Sequence, residues 1–251
     1  MFKKLTPDEK VTLMRHLEDL RRALLVSIIA IVIAAFASFY YSDQILAIIQ
    51  KPLKDVGMGL SLVYIGVTKG FFVKMKLSLL AGLVIAFPVV AWELWSFIAP
   101  ALYPQEKRYV YTLFPIILVL FVAGVLFAYF TLLKMVLAFM VYISGDLKPM
   151  ITVDKYLSFV LTLTIPFGLV FELPVIVFFL TRIGILQAST LARNRKYALL
   201  AIFIVAAVLT PGPDPVSQTM MAVPVYLLYE ISIWVAKLAR PKNKGAVVET
   251  S

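Results

Sequence analysis

Glu172 stands inside an apolar run, LVFELPVIVFFL. An ionised carboxylate in such a run is costly unless it is paired, protonated or hydrated, and acids at membrane depth usually have a task. Pro174, two residues on, removes a helix hydrogen bond and kinks the chain nearby. A kinked helix with one acid can line a polar cavity. The plainer reading is that Glu172 satisfies a polar group of a neighbouring helix.

Other acids fall near the ends of apolar runs. Glu106 lies in PALYPQEKRY, where Pro104, Gln105 and Glu106 read as the first turn of a helix. An acid there favours the helix dipole, so dipole pairing and ligand binding both stand as readings. Glu18 and Asp19 precede the first run and can pair with Arg21 or Arg22 along one helix face. Asp214 sits in TPGPDPVSQ, where it reads as an N-cap with Pro215 at the first helical position. Glu93 and Glu230 read as interfacial residues, the latter near Lys237.

Several chemistries are excluded. The chain has no cysteine and one histidine, His16, so thiolate and multi-histidine metal sites are ruled out. It contains no GxxxxGK[ST], GxGxxG or HExxH motif, and no metal or cofactor is expected. Ser-His pairing and a two-aspartate helix motif are also missing, which argues against an intramembrane enzyme. Work done by this chain would draw on a gradient or a partner.

The positioning elements follow from composition. Of 251 residues, 62% are hydrophobic and 15% charged, and mean hydropathy is +0.94. A soluble domain has nearer half apolar and a quarter charged, so a bilayer must solvate much of this surface. Apolar runs cover residues 22–41, 70–95, 109–130, 156–180, 197–210 and 217–235. They lack period-two alternation and must satisfy their backbone internally, so they predict six transmembrane helices and an all-α, polytopic fold. Residues 1–240 read as one transmembrane domain and 241–251 as a disordered tail. The first run is preceded by polar residues and followed by no small-residue cleavage site, so no cleaved signal is expected.

Orientation follows from the lysines and arginines. The net charge of +10 would suggest nucleic acid in a soluble protein, but here the basic residues flank apolar runs and report topology. The group with Lys3, Arg21, Lys107, Arg195 and Lys237 is twice as large as the group with Lys51, Lys69, Lys134 and Lys155. Both termini are therefore expected on the cytoplasmic side. Residues 43–56 and 132–143 have helical spacing and read as amphipathic helices on the outer face. The fifth run, at about 1.5 Å per residue, spans ~21 Å against a hydrocarbon core of ~30 Å. Local thinning of the bilayer and a re-entrant hairpin both fit that length.

In order and spacing, these pieces resemble the TatC family, the polytopic subunit of the twin-arginine protein translocase. The resemblance rests on HLEDLRRALL at 16–25, Pro52 in QKPL, FIAPALYPQEKR at 97–108, the Phe171-Glu172 pair and TPGPDPVSQ at 210–218. In the first string Asp19 stands where the family usually has Glu. The resemblance implies a cupped six-helix bundle in a bacterial-type inner membrane. It implies that Glu106 and Asp19, with Phe97, Leu20 and Arg21, bind the twin-arginine signal peptide of folded cargo. A guanidinium fork matches a carboxylate in bidentate geometry, which suits acids as receptors for two arginines. It further implies that Glu172 contacts the single-span helix of a TatA-type partner. Pro52, Asp214 and Gln218 are placed in structural or periplasmic loops. TatA, possibly TatB, and further copies of the chain are the implied partners, with the proton motive force as the energy source. The competing reading is a proton-coupled transporter of a small solute with Glu172 as carrier, against which stands the lack of an inverted repeat.

Overall fold

The fold is that of a computed structural model, described at residues 7–56, 62–66, 68–98, 107–145, 150–210 and 214–239, with backbone alone at 7–15 and 107–110. It is an all-α, multi-pass membrane protein. Among the described residues, five helices are long and apolar enough to cross a membrane. The tail expected at 241–251 lies outside the described residues.

Helix α1 spans Pro7–Tyr40, α2 Ser42–Asp55 and α3 Lys69–Ile98. Helix α1 starts well before the apolar run because the residues ahead of it are mostly good helix formers, which hydropathy does not register. Helix α4 covers Lys107–Phe127 and passes through a π turn at Ala128–Leu132 into α5, Leu133–Ser144. The second amphipathic segment is thus a continuation of the third crossing rather than a separate surface helix. The Leu133 amide donates to the Ala128 carbonyl, the i to i+5 bond that defines the turn.

Helix α6 spans Val153–Val170 and α7 Leu173–Arg182. The break between them follows from Pro174, whose ring would clash with the carbonyl four residues back in a continuous helix. Helix α8 is Ala188–Arg193, α9 Arg195–Leu209 and α10 Pro215–Leu238. With 15 residues, α9 is too short to cross a full hydrocarbon core, at about 1.5 Å per residue. Two strands that the sequence did not suggest, β1 at Leu62–Val63 and β2 at Ile151–Thr152, pair in parallel.

The chain divides into two compact units, Met1–Ile48 with Gly66–Leu118, and Ile49–Ile65 with Val119–Ser251. In the first, α1 packs along α3 and closes tightly at Gly82, where an added Cβ would lie 2.6 Å from the Ala35 backbone nitrogen. In the second, α4 and α6 meet through two glycines. A Cβ at Gly124 would stand 2.7 Å from the Phe167 carbonyl oxygen, and one at Gly168 would stand 2.7 Å from the Phe121 ring. Small residues let membrane helices approach closely where lipid offers no hydrophobic drive for association. Phe121, Phe167, Leu132, Leu133 and Leu157 are among the fully buried side chains of this unit.

Candidate functional site

The N-terminal acids stand on α1 where it leaves the apolar part of the helix. Glu18, Asp19 and Arg21 are exposed and Leu20 is half-buried. Glu18, Asp19, Arg21, Arg22, Leu25 and Val26 line a shallow hollow of about 480 Å³. Among the described residues Asp19 has no ion-pair partner, although Arg21 and Arg22 are close in sequence. Its carboxylate is presented to solvent.

Phe97, in the last turn of α3, stacks on His16 of α1 with ring centroids 4.3 Å apart and planes 21° from parallel. His16 and Asp19 are three apart on one helix and share a face. The stack therefore brings Phe97, from α3, to the end of α1 that carries Asp19 and Leu20. Glu106, the other acid expected here, lies outside the described residues.

Glu172 occupies the junction between α6 and α7 and is 6% exposed. Neither carboxyl oxygen meets strict hydrogen-bond geometry among the described residues, although the Phe121 backbone of α4 is a nearby polar group. The hydroxyl oxygens of Thr164 and Thr181 are also buried, with no hydrogen-bond partner among the described residues. Burying such a group without a partner is costly, which sets Glu172 apart from an ordinary core residue.

Pro52 is buried within α2. That helix is held by Tyr156, whose hydroxyl donates to the Ile49 carbonyl at 2.7 Å, and by Lys134, whose ammonium donates to Asp55 at 2.8 Å. The Lys134 hydrogen bond keeps the exposed Asp55 carboxyl below its ordinary range. Asp214 caps α10, its side chain accepting from the Ser217 amide at 2.6 Å with Pro215 following. Gln218 donates its side-chain amide to the Phe203 carbonyl of α9 at 2.8 Å.

Glu230 lies near enough to Lys237 to feel its charge, as expected, but its hydrogen-bond partners are others. It accepts two bonds from Arg195 at the start of α9, from Nε at 2.7 Å and from the terminal nitrogen at 2.9 Å, and a third from the Tyr226 hydroxyl at 3.1 Å. The Lys237 ammonium also lies over the Trp234 ring, 5.3 Å from its centroid. Tyr229 adds a bond to the Leu191 carbonyl at 2.8 Å. Polar bonds thus fasten α9 to α10 near both ends. Sequence reasoning missed these partners because Arg195 and Glu230 are 35 residues apart and nothing local couples them.

Residues 15–224 match the model of the family described as Sec-independent protein translocase protein (TatC). The chain belongs to the TatC family. The TatC protein of Carboxydothermus hydrogenoformans is 46% identical over 237 residues, covering 94% of this chain and 97% of that one. TatC of Aquifex aeolicus is 38% identical over 92% of this chain and 97% of its own. TatCy of Bacillus subtilis is 38% identical over 93% and 91%. A crystal structure of the twin-arginine translocase receptor TatC superposes with a TM-score of 0.81 at 38% identity, covering 89% of this chain and 99% of that one. A TatC fold therefore positions Asp19 and Phe97 at one end of the α1–α3 pair, and buries Glu172 at a helix break.

Proposed function

We propose that this chain is the receptor core of a twin-arginine protein translocase, and that Asp19, Phe97, Leu20 and Arg21, with Glu106, bind the signal peptide of folded cargo. The observation that carries the reading is the stack of Phe97 on His16, which brings an apolar ring to the polar stretch of α1 where Asp19, unpaired among the described residues, stands. Two adjacent arginines need such carboxylates, because a guanidinium keeps its charge and forms paired bonds to a carboxylate. Phe97 and Leu20 supply apolar contact beside them. Membership of the TatC family supports the same role, as does a solved relative described as the twin-arginine translocase receptor.

In this reading the receptor sits in a bacterial-type inner membrane with both termini in the cytoplasm. The short α9 makes a sixth crossing beside α10 where the bilayer is locally thinned, held by the Arg195–Glu230 pair and by Gln218. The chain works with TatA-type and possibly TatB-type single-span partners and with further copies of itself, driven by the proton motive force. Glu172 meets a polar group of a partner helix. Its buried carboxyl, which meets no strict hydrogen-bond geometry among the described residues, is the feature that favours this contact.

The test is a photoreactive residue placed at Phe97. It should crosslink to an Arg-Arg signal peptide in membranes and lose that product when Asp19 is replaced by Asn. Equal crosslinking of a Lys-Lys peptide, or an unchanged product with Asp19→Asn, would remove the receptor assignment.

A further inference from the structure

Gly82, Ala86, Glu93 and Phe97 recur on α3 at spacings of four, seven and four residues, so they share one stripe of the helix. Contacts at two points turn this stripe toward α1. A Cβ at Gly82 would touch Ala35, and Phe97 stacks on His16. Ala86, between them, is buried. Glu93 therefore stands at the seam of the two helices, about one turn before Phe97. The same two contacts make the helices antiparallel, because Phe97 follows Gly82 whereas His16 precedes Ala35. One turn back from Phe97 on α3 is thus one turn on from His16 on α1, the level of Asp19 and Leu20.

On the α1 side of the seam, half-buried Leu20 and buried Ala23 follow His16 by four and seven residues. Glu93 is half-buried as well, yet among the described residues it makes no ion pair. Partial burial near the end of an apolar span takes water from a carboxylate, and here no cation replaces it. An acid that serves only to meet the water layer has no need of a place on the packing stripe. Helices in contact have axes about 8–10 Å apart. Asp19 and Glu93 thus present two carboxylates, from facing helices at one level, to a ligand with two neighbouring guanidinium groups.

We infer that Glu93 is a specificity-determining residue of the signal-peptide site, holding one arginine of the doublet while Asp19 holds the other. This role presupposes that the site receives a twin-arginine signal, as proposed above, and adds a second helix as a source of charge. Paired bonds from a guanidinium to a carboxylate discriminate against lysine, whose ammonium is a point charge. Each acid accordingly reads a different position of the doublet.

The test is the affinity of the purified chain for Arg-Arg, Arg-Lys and Lys-Arg versions of one signal peptide, measured in the unmodified protein, Asp19→Asn and Glu93→Gln. Glu93→Gln keeps the side chain's shape and should weaken Arg-Arg binding roughly ten- to hundredfold. It should also cease to distinguish Arg-Arg from one mixed peptide while still rejecting the other, and Asp19→Asn should make the opposite choice. Glu93→Asp, which keeps the charge, should retain most of the discrimination. A merely structural role in the seam would weaken all three peptides alike. Such an equal loss, or full discrimination at both positions in Glu93→Gln, would overturn the inference. If Asp19→Asn alone loses discrimination, the receptor assignment stands and only the Glu93 role falls. If neither variant alters the three affinities, both fall together.

Discussion

Phe97 stacks on His16 at 4.3 Å between ring centroids, and Asp19 follows His16 by about one turn on α1. The apolar ring of one helix and the exposed carboxylate of another are thereby held in a fixed relation. A signal carrying two arginines and an apolar neighbour meets complementary groups without reorganising the receptor, which limits the ordering cost of binding.

Asp19→Asn keeps the shape and removes the charge. A hydrogen bond to a charged group contributes about 1.5–3 kcal/mol, so affinity for an Arg-Arg peptide should fall roughly ten- to hundredfold. Asp19→Glu should retain most of it. Titration of labelled peptide into detergent-solubilised protein measures both. Phe97→Ala should weaken binding less, with no change in its salt dependence.

The close approach of α4 and α6 predicts a graded set of glycine effects. Gly124→Ala places a methyl against the Phe167 carbonyl, which is backbone and cannot move aside, and Gly168→Ala presses on the buried Phe121 ring. Each should destabilise by about 1–3 kcal/mol, the usual range for overpacking. Gly70→Ala, which meets nothing within 4 Å, should be neutral or slightly stabilising. Thermal unfolding in detergent gives the order.

Glu172 separates stability from function. Its carboxyl meets no strict hydrogen-bond geometry among the described residues, and Glu172→Gln keeps the side chain's shape, so the variant should unfold at the same temperature or slightly higher. Transport should nevertheless fall if the acid meets a partner helix. A large loss of thermal stability would show instead that the acid is a structural element of its own chain.

The Asp55–Lys134 bond makes a pH prediction. Asp55 titrates below its ordinary value of 3.8, chiefly because the Lys134 ammonium donates to its ionised form. A depressed carboxyl stabilises the fold above its unfolded pKa, and that contribution is lost as pH falls through the lower folded value. Carboxylate infrared difference spectra should show Asp55 protonating below pH 3.8, moving back up in Lys134→Met.

Much of the fold was legible because it depends on local rules. The Asp214-Pro215 pair announces the α10 cap, and Pro174 announces a break near Glu172. Hydropathy located the apolar runs but not the helix ends, so the polar first turns of α1 went unread. The π turn at Ala128–Leu132 has no sequence signature, which hid the continuity of α4 with α5. The Arg195–Glu230 and Lys74–Asp43 pairs depend on tertiary neighbours, and charge patterning reports only which side of a membrane a lysine favours. Asp19 was legible through its motif, whereas the His16–Phe97 stack that gives it a companion was not.

The central claim is most directly tested by measuring how the purified protein distinguishes Arg-Arg, Arg-Lys and Lys-Lys versions of one signal peptide, alone and with Asp19→Asn. The account predicts a stepwise loss from Arg-Arg to Lys-Lys in the unmodified protein, and a much smaller spread in the variant. The same spread in both proteins would contradict it, since discrimination would then arise without the Asp19 carboxylate.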